Sequence, residues 1–251
     1  MARSEAGALL TEQHRLAQLQ VRARALRDFL RLWPIWQGDE ETFNEMVAAT
    51  ILLIRAYYGL SADVAGGYFQ NFRRAEGVEG EAITRLAGLI DQASVIAGMT
   101  ATGRNAVRDA LRTGRSGEDA RTASLVRTSG VVTREVLRGG RGTLLRSVAE
   151  DRQALGWARV TDGDPCPFCA LLASRGPVYK ADTVNFEAHG DCGCTAEPAY
   201  RDSEWPGRAR EFKALYGQAV SEARAAGELE RGTSNDLLNA FRRYLSRESK
   251  T

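Results

Sequence analysis

Cys166-Pro167-Phe168-Cys169 and, further on, His189-Gly190-Asp191-Cys192-Gly193-Cys194 contain every cysteine of the chain and one of its two histidines. A C-x2-C turn sets two thiolates on one side of a tight knuckle, and a second pair from a distant segment completes a tetrahedron. Pro165 ahead of the first pair, and Gly190 and Gly193 within the second, suit sharp backbone turns. The spacing is that of a zinc site. It offers five donors, Cys166, Cys169, His189, Cys192 and Cys194, for four places. Cys166, Cys169 and His189 come first, and Cys192 and Cys194 compete for the fourth place. Residues i and i+2 of an extended segment point the same way, so both could face the metal and leave His189 outside. Four protein ligands close a zinc site, which makes it structural rather than catalytic. One zinc ion would then staple a small, loop-rich module. Two other readings stay open: a pair of disulfides in an oxidising compartment, and a nucleophilic pair in which His189 activates Cys166 or Cys169.

On either side of the first cysteine pair the pattern is β-like. Trp157–Thr161 alternates, Asp162-Gly163-Asp164-Pro165 is a turn signal, and Val178-Tyr179-Lys180 and Cys194–Glu197 read as further short strands. Upstream the apolar period is helical. Leu16, Leu19, Ala23, Leu26, Leu30 and Trp33 mark a helix over Leu9–Trp33, which Pro34 ends. Asp39 is suited to cap a second helix that Gly59 stops, and Ser61–Phe72 reads as a third segment. A helix is expected from Glu81 to about Ala97. Gly114, Ser116 and Gly117 then mark a break, Val131–Leu137 reads as helix, and Gly139, Gly140 and Gly142 as a turn before a helix through Leu155. Downstream, Ala209–Ala226 and Asn235–Ser246 are helical, the latter with Ser234 as its expected cap. The fold class is therefore mainly α: a helical N-terminal scaffold (1–155), a zinc-stapled α+β module (156–200) and C-terminal helices (201–251).

The 251 residues carry 34 Lys and Arg against 32 Asp and Glu, so the chain as a whole is no polycation. Its positive charge is nearly all arginine, and Ala101–Glu150 is the richest stretch. Arg104, Arg108, Arg112 and Arg115 recur at helical spacing and are candidate phosphate contacts, although a solvated helix face and the arginine bias of a GC-rich genome are the commoner explanations. Asp162 and Asp164 could be read as an acid pair, but the turn explains them. No apolar run reaches the ~18 residues of a membrane span, and no secretory signal is expected. Reduced cysteines and no membrane partner follow as expectations.

The succession Trp157-Ala158-Arg159-Val160, Asp164-Pro165-Cys166-Pro167-Phe168-Cys169, Ala170-Leu171-Leu172-Ala173-Ser174, Gly176, Tyr179, His189-Gly190-Asp191-Cys192-Gly193-Cys194 and Pro198 resembles a phage module. It is the C-terminal module of the Mu F-type minor head proteins of tailed bacteriophages, in the version found in phages of actinobacteria. The resemblance covers Gly156–Tyr200. It implies a few-copy virion component inside the head near the portal, present in the host cytoplasm during assembly. Portal protein and major capsid or scaffold protein would be its partners in procapsid assembly and DNA packaging or ejection, with packaged DNA nearby. Proteins of this kind are also labelled capsid maturation proteases. A Ser-His protease needs a free histidine base, and the chain has only His14 and His189. With zinc on His189 only His14 is left, so no catalytic residue is assigned. A zinc-containing DNA-binding virion protein is the remaining reading.

Overall fold

A computed structural model describes residues 4–178, 186–200, 205–229 and 233–248. Helix α1 spans Glu5–Leu32, with the Ser4 hydroxyl accepting the Gly7 N–H at 2.9 Å as its cap. His14, Gln18, Val21, Ala25 and Phe29 form its buried stripe at three- and four-residue steps. Pro34 lies in the single tight turn Trp33–Ile35 that ends it. Asp39 caps α2, Glu40–Ala75, accepting the Thr42 N–H at 2.8 Å.

Helix α2 runs unbroken through Gly59, which therefore stops nothing, and Ser61 opens no third segment. Ser61 is instead a buried junction of three helices. Its hydroxyl donates to Gln18 Oε1 at 2.7 Å and accepts the Gly140 N–H at 2.9 Å. Gly140 belongs to α5, Gly117–Glu150, which Ser116 caps and which also runs without a break. The expected turn at Gly139, Gly140 and Gly142 does not exist. These glycines are where α5 touches its neighbours: a Cβ on Gly140 would lie 2.6 Å from Gln18 Nε2, and one on Gly142 3.1 Å from Ala87. Missing side chains here serve close helix approach rather than chain reversal.

The helix expected from Glu81 is also corrected. Residues 81–91 lie extended along α2 and α5, and α3 starts only at Gln92, with Asp91 as its cap. Other elements supply the hydrogen bonds that a helix would have made internally. Arg73 donates to the carbonyls of Val78, Glu79 and Gly80 at 2.7–2.9 Å. Arg85 and Ala87 donate their N–H groups to Ser147 and Thr143, hydroxyls one turn apart on α5. Helix α3 (Gln92–Thr100) passes through a wide turn at Ala101–Asn105 into α4 (Ala106–Arg112).

After α5, strand β1 (Gly156–Val160) pairs antiparallel with β2 (Thr195–Ala199), Gly156 opposite Ala199 and Val160 opposite Thr195. Between them lies α6, Pro167–Ala173. Val178 is not in a strand, and Tyr179 and Lys180, the rest of the strand expected there, lie outside the described residues. Helices α7 (Ala209–Ala225) and α8 (Ser234–Glu248) complete the fold. Thr233, not Ser234, caps α8, its hydroxyl accepting the Asp236 N–H at 3.2 Å.

One core gathers Phe29, Trp36, Phe43, Met46, Ile54, Met99 and Val132 between α1, α2, α3 and α5. A second joins Phe69, Phe72 and Leu144 to Trp157 and Ala196, so the small sheet shares apolar packing with the helices. A third, with Ala170, Phe212 and Phe241, packs α7 and α8 on α6. By length and composition α2 could cross a bilayer, with a mean hydropathy of 1.3 over 18 residues. Here it packs against both α1 and α5 in the first core, and 28% of that window is buried.

Candidate metal centre

The antiparallel register of β1 and β2 brings the two cysteine segments together. The chain leaves β1 at Val160 toward Cys166 and enters β2 at Thr195, directly after Cys194, and these two strand ends are paired. Cys166 is the cap of α6, with its Sγ accepting the Cys169 N–H at 3.4 Å and Pro167 fixing the first turn. Nearly one turn of helix therefore sets the C-x2-C pair.

All five sequence-predicted donors converge. Cys166 Sγ lies 2.9 Å from His189 Nε2, and Cys169 Sγ lies 3.5 Å from both His189 Nε2 and Cys192 Sγ. Donor atoms around one tetrahedral zinc stand about 3.3–3.8 Å apart, given Zn–S near 2.3 Å and Zn–N near 2.0 Å. The two 3.5 Å separations fit a metal ion of this kind, while Cys166 and His189 stand closer than two ligands of one ion would. Two triads, Cys166–Cys169–His189 and Cys169–Cys192–Cys194, each hold their donor atoms within 4.8 Å and share Cys169. Cys169, Cys192 and Cys194 are buried, Cys166 is half-buried and His189 is exposed. The two residues set against each other by sequence, Cys192 and Cys194, stand together in one triad. Cys166 and His189 are the pair that meet at the open side. The Gly190 carbonyl can only accept, so its close contact with His189 Nδ1 puts the ring proton there and leaves the Nε2 lone pair for a metal.

The sulfurs share protons unequally. Hydrogen bonding from Cys169 lowers Cys166 to about 5 and holds Cys192 still lower, with Arg141 assisting at Cys192. Cys169 is raised by those same bonds, to Cys166 first. For Cys194 the Cys169 bond acts downward, but Cys192 and burial push it up to about 12. A cation among them would replace the shared protons. All four cysteines are free thiols, so the disulfide reading has no counterpart.

The second segment is fastened to the helices. Gly193 donates its N–H to Asp162 Oδ2 at 2.9 Å, and a Cβ there would lie 2.8 Å from Leu19 on α1. Asp162 is thus a loop fastener rather than half of an acid pair, and burial raises its carboxyl. Gly190 lies against Gly130 of α5, each leaving under 3.4 Å for a Cβ on the other. Neither Gly190 nor Gly193 adopts positive φ; Asp191 does, at 61°, so these glycines serve close approach rather than a left-handed turn. The Asp191 carboxylate meets Arg22 at 3.6 Å and Thr133 at 3.3 Å.

Two residues escaped the sequence reading. Arg141 of α5 donates to the carbonyls of Cys194 (3.0 Å) and Cys192 (2.5 Å). Arg159 of β1 donates to the Glu187 carbonyl at 2.6 Å and points Nη1 at Cys169 Sγ, 3.8 Å away. Both guanidiniums stack on Phe186, at 4.9 and 3.8 Å from the ring centre. Arg159 carried a signal, an arginine in an otherwise apolar strand leading to the first cysteine pair, whereas Arg141 on α5 carried none.

His14 is buried, stacked on Tyr68 at 4.3 Å, with Nε2 3.0 Å from the Thr195 hydroxyl. Burial lowers it to about 3. The four candidate phosphate contacts are less uniform than their spacing. Arg104 pairs with Glu40 at 2.6 Å and lies over Phe43, while Arg108 and Arg112 on α4 both approach Asp109. Arg115 is exposed but follows Gly114, past the end of α4, and so leaves the shared helical face.

Comparison with known proteins adds a lineage. A family model described as VG15 protein matches residues 5–219. The "Gene 15 protein" of Mycobacterium phage D29 is 28% identical over 177 residues, an alignment covering 54% of this chain and 64% of that relative. The chain thus spans less than two thirds of the length of that relative. No solved structure matches.

Proposed function

This chain belongs to the VG15 protein family, and from that premise we propose that it is a minor capsid protein of a tailed bacteriophage. It acts inside the head near the portal, in procapsid assembly and DNA packaging or ejection. Its partners are the portal protein and the major capsid or scaffold protein, and its cysteine module holds one structural zinc ion. The observation that carries this reading is the closed donor set. Five donors lie in two triads that share Cys169, and the loop that bears three of them is fastened to α1 through Arg22 and to α5 through Thr133, an arrangement suited to a structural ion. Similarity to a protein of Mycobacterium phage D29 supports the phage setting.

The runner-up, a capsid maturation protease, loses support at both histidines. His14 is 3% exposed and holds a threonine equally buried, and His189 lies against two cysteine sulfurs. The DNA-binding reading draws on the exposed Arg108, Arg112 and Arg115, and a protein inside a packaged head has DNA beside it. A salt titration on duplex DNA tests it, because phosphate contacts weaken steeply with salt.

Localisation decides the main proposal. Cryo-electron microscopy and quantitative mass spectrometry of particles from the encoding phage should find a few copies per virion at the portal vertex. Mature particles that lack the protein, yet package and eject normally, would sink it. Co-expression with the cognate major capsid protein, using His14→Ala and His189→Ala variants, tests the protease separately.

A further inference from the structure

The described structure buries three arginines, and only one of them has a carboxylate. Arg73 is paired with Asp151 at 2.9 Å. Arg141 and Arg159, 4% and 2% exposed, have no carboxylate within 4 Å among the described residues. Their partners are neutral carbonyls, the Phe186 ring and one sulfur, and Arg141 Nη1 and Arg159 Nε have no hydrogen-bond partner among the described residues. A buried cation without a counter-charge is strongly unfavourable, so the compensating charge has to be found nearby. Both guanidiniums face the cysteine cluster. Arg141 grips the backbone carbonyls of two of its members, and Arg159 aims at the sulfur that both triads share.

Resting on the zinc reading above, we infer that Arg141 and Arg159 are the built-in counter-charges of a metal centre whose four cysteines are all thiolates. The charges close. A divalent ion with four thiolates carries −2, and the two guanidiniums supply +2. With three thiolates the centre carries −1 and one buried guanidinium is left uncompensated. His189 in place of Cys166 would leave the centre one negative charge short, so the balance calls for Cys166 as the fourth ligand. It makes the two arginines positioning residues: Arg141 holds the carbonyls of Cys192 and Cys194, Arg159 holds that of Glu187, and their charge makes thiolate-rich binding affordable inside the fold. It also selects the ligand class, a soft divalent cation such as zinc or cadmium rather than an oxygen-seeking one such as magnesium.

The test uses the full chain loaded with one zinc ion, titrated with a chromophoric chelator, and with cobalt(II) substituted as a spectroscopic reporter. Arg141→Met and Arg159→Met remove charge but keep apolar bulk; Arg159→Lys keeps charge without the planar fork. The Met variants should release zinc with roughly 10–100-fold weaker retention, the range seen when groups supporting metal ligands are removed. They should also shift the cobalt–thiolate charge-transfer bands, whereas Arg159→Lys should recover most of the retention. Met variants that fold and hold zinc like wild type would overturn the inference. So would a Lys variant that loses metal as a Met variant does, and this arm decides if the Met variants do not fold. Wild-type protein that binds no zinc fails differently, because it removes the zinc reading itself.

Discussion

Gly139 of α5 lies so close to Tyr58 of α2 that a Cβ on the glycine would overlap the Tyr58 carbonyl oxygen. The obstructing atom is backbone, in the middle of a helix, and cannot rotate away. Alanine favours a helix over glycine by about 1 kcal/mol, but inserting atoms into a packed contact typically costs about 1–3 kcal/mol. The second effect should win at Gly139. Gly59 on α2 has open space where its Cβ would stand, so Gly59→Ala should raise stability by roughly 0.5–1 kcal/mol. Urea midpoints of the two variants should move in opposite directions; a stabilised Gly139→Ala would contradict the close helix crossing.

Arg73 and Asp151 make a different demand. Their side chains are each 5% exposed, and Arg73 also holds three carbonyls of the extended 78–80 segment. Removing one member of a buried pair costs about 3–5 kcal/mol. Asp151→Asn should fall in or below that range, since the amide keeps a hydrogen-bond acceptor. Arg73→Met should exceed it and free the segment. Limited proteolysis should then cut within 78–91 in Arg73→Met before any site in α1 or α5. Equal resistance in wild type and variant would show that Arg73 does not anchor the segment.

Chelation should divide the molecule. The core of α1, α2 and α5 uses none of the cysteines, while the start of α6 and the loop leading into β2 are assembled around them. Stripping metal should leave most of the helical far-ultraviolet signal. Amide protection in Gly156–Val160 and Thr195–Ala199 should fall, and four thiols should become reactive to a sulfhydryl reagent. Unchanged protection after chelation would mean the module stands without metal.

Where sequence reasoning succeeded and failed has a common physical origin. Caps and donor spacing are local: Asp39 caps its helix as its type predicts, and the C-x2-C pair and the H-x2-C-x-C run come together as possible metal-binding groups. The glycines misled because a glycine that ends a helix and one that admits a neighbouring helix are identical in a single chain. Gly59, Gly139 and Gly140 are of the second kind or simply tolerated. Residues 81–91 carry an apolar pattern consistent with a helix, but hydroxyls of Thr143 and Ser147, about 60 residues away, take their N–H groups instead. Arg141 becomes legible only once the fold has put it beside the cysteines.

His14 ties the first helix to the strand that follows the metal loop, and it does so as a neutral ring. It is held near a pKa of about 3 by burial, with Tyr68 stacked on one face and Thr195 at Nε2. An unfolded histidine titrates near 6.5. The folded value is the lower of the two, so below pH 6.5 the unfolded chain binds the extra proton first. The contribution of His14 is therefore complete above pH 6.5 and is lost progressively as pH falls toward 3. The slope approaches about 1.4 kcal/mol per pH unit within that window. His14→Gln can keep a hydrogen bond to Thr195 but cannot titrate. Urea unfolding of both proteins from pH 7.5 to 4.5 should give a difference in stability that narrows steadily toward low pH, as wild type loses what the variant never had. A pH-independent difference would show that His14 is accessible to protons in the folded state, and would return it to consideration as a base.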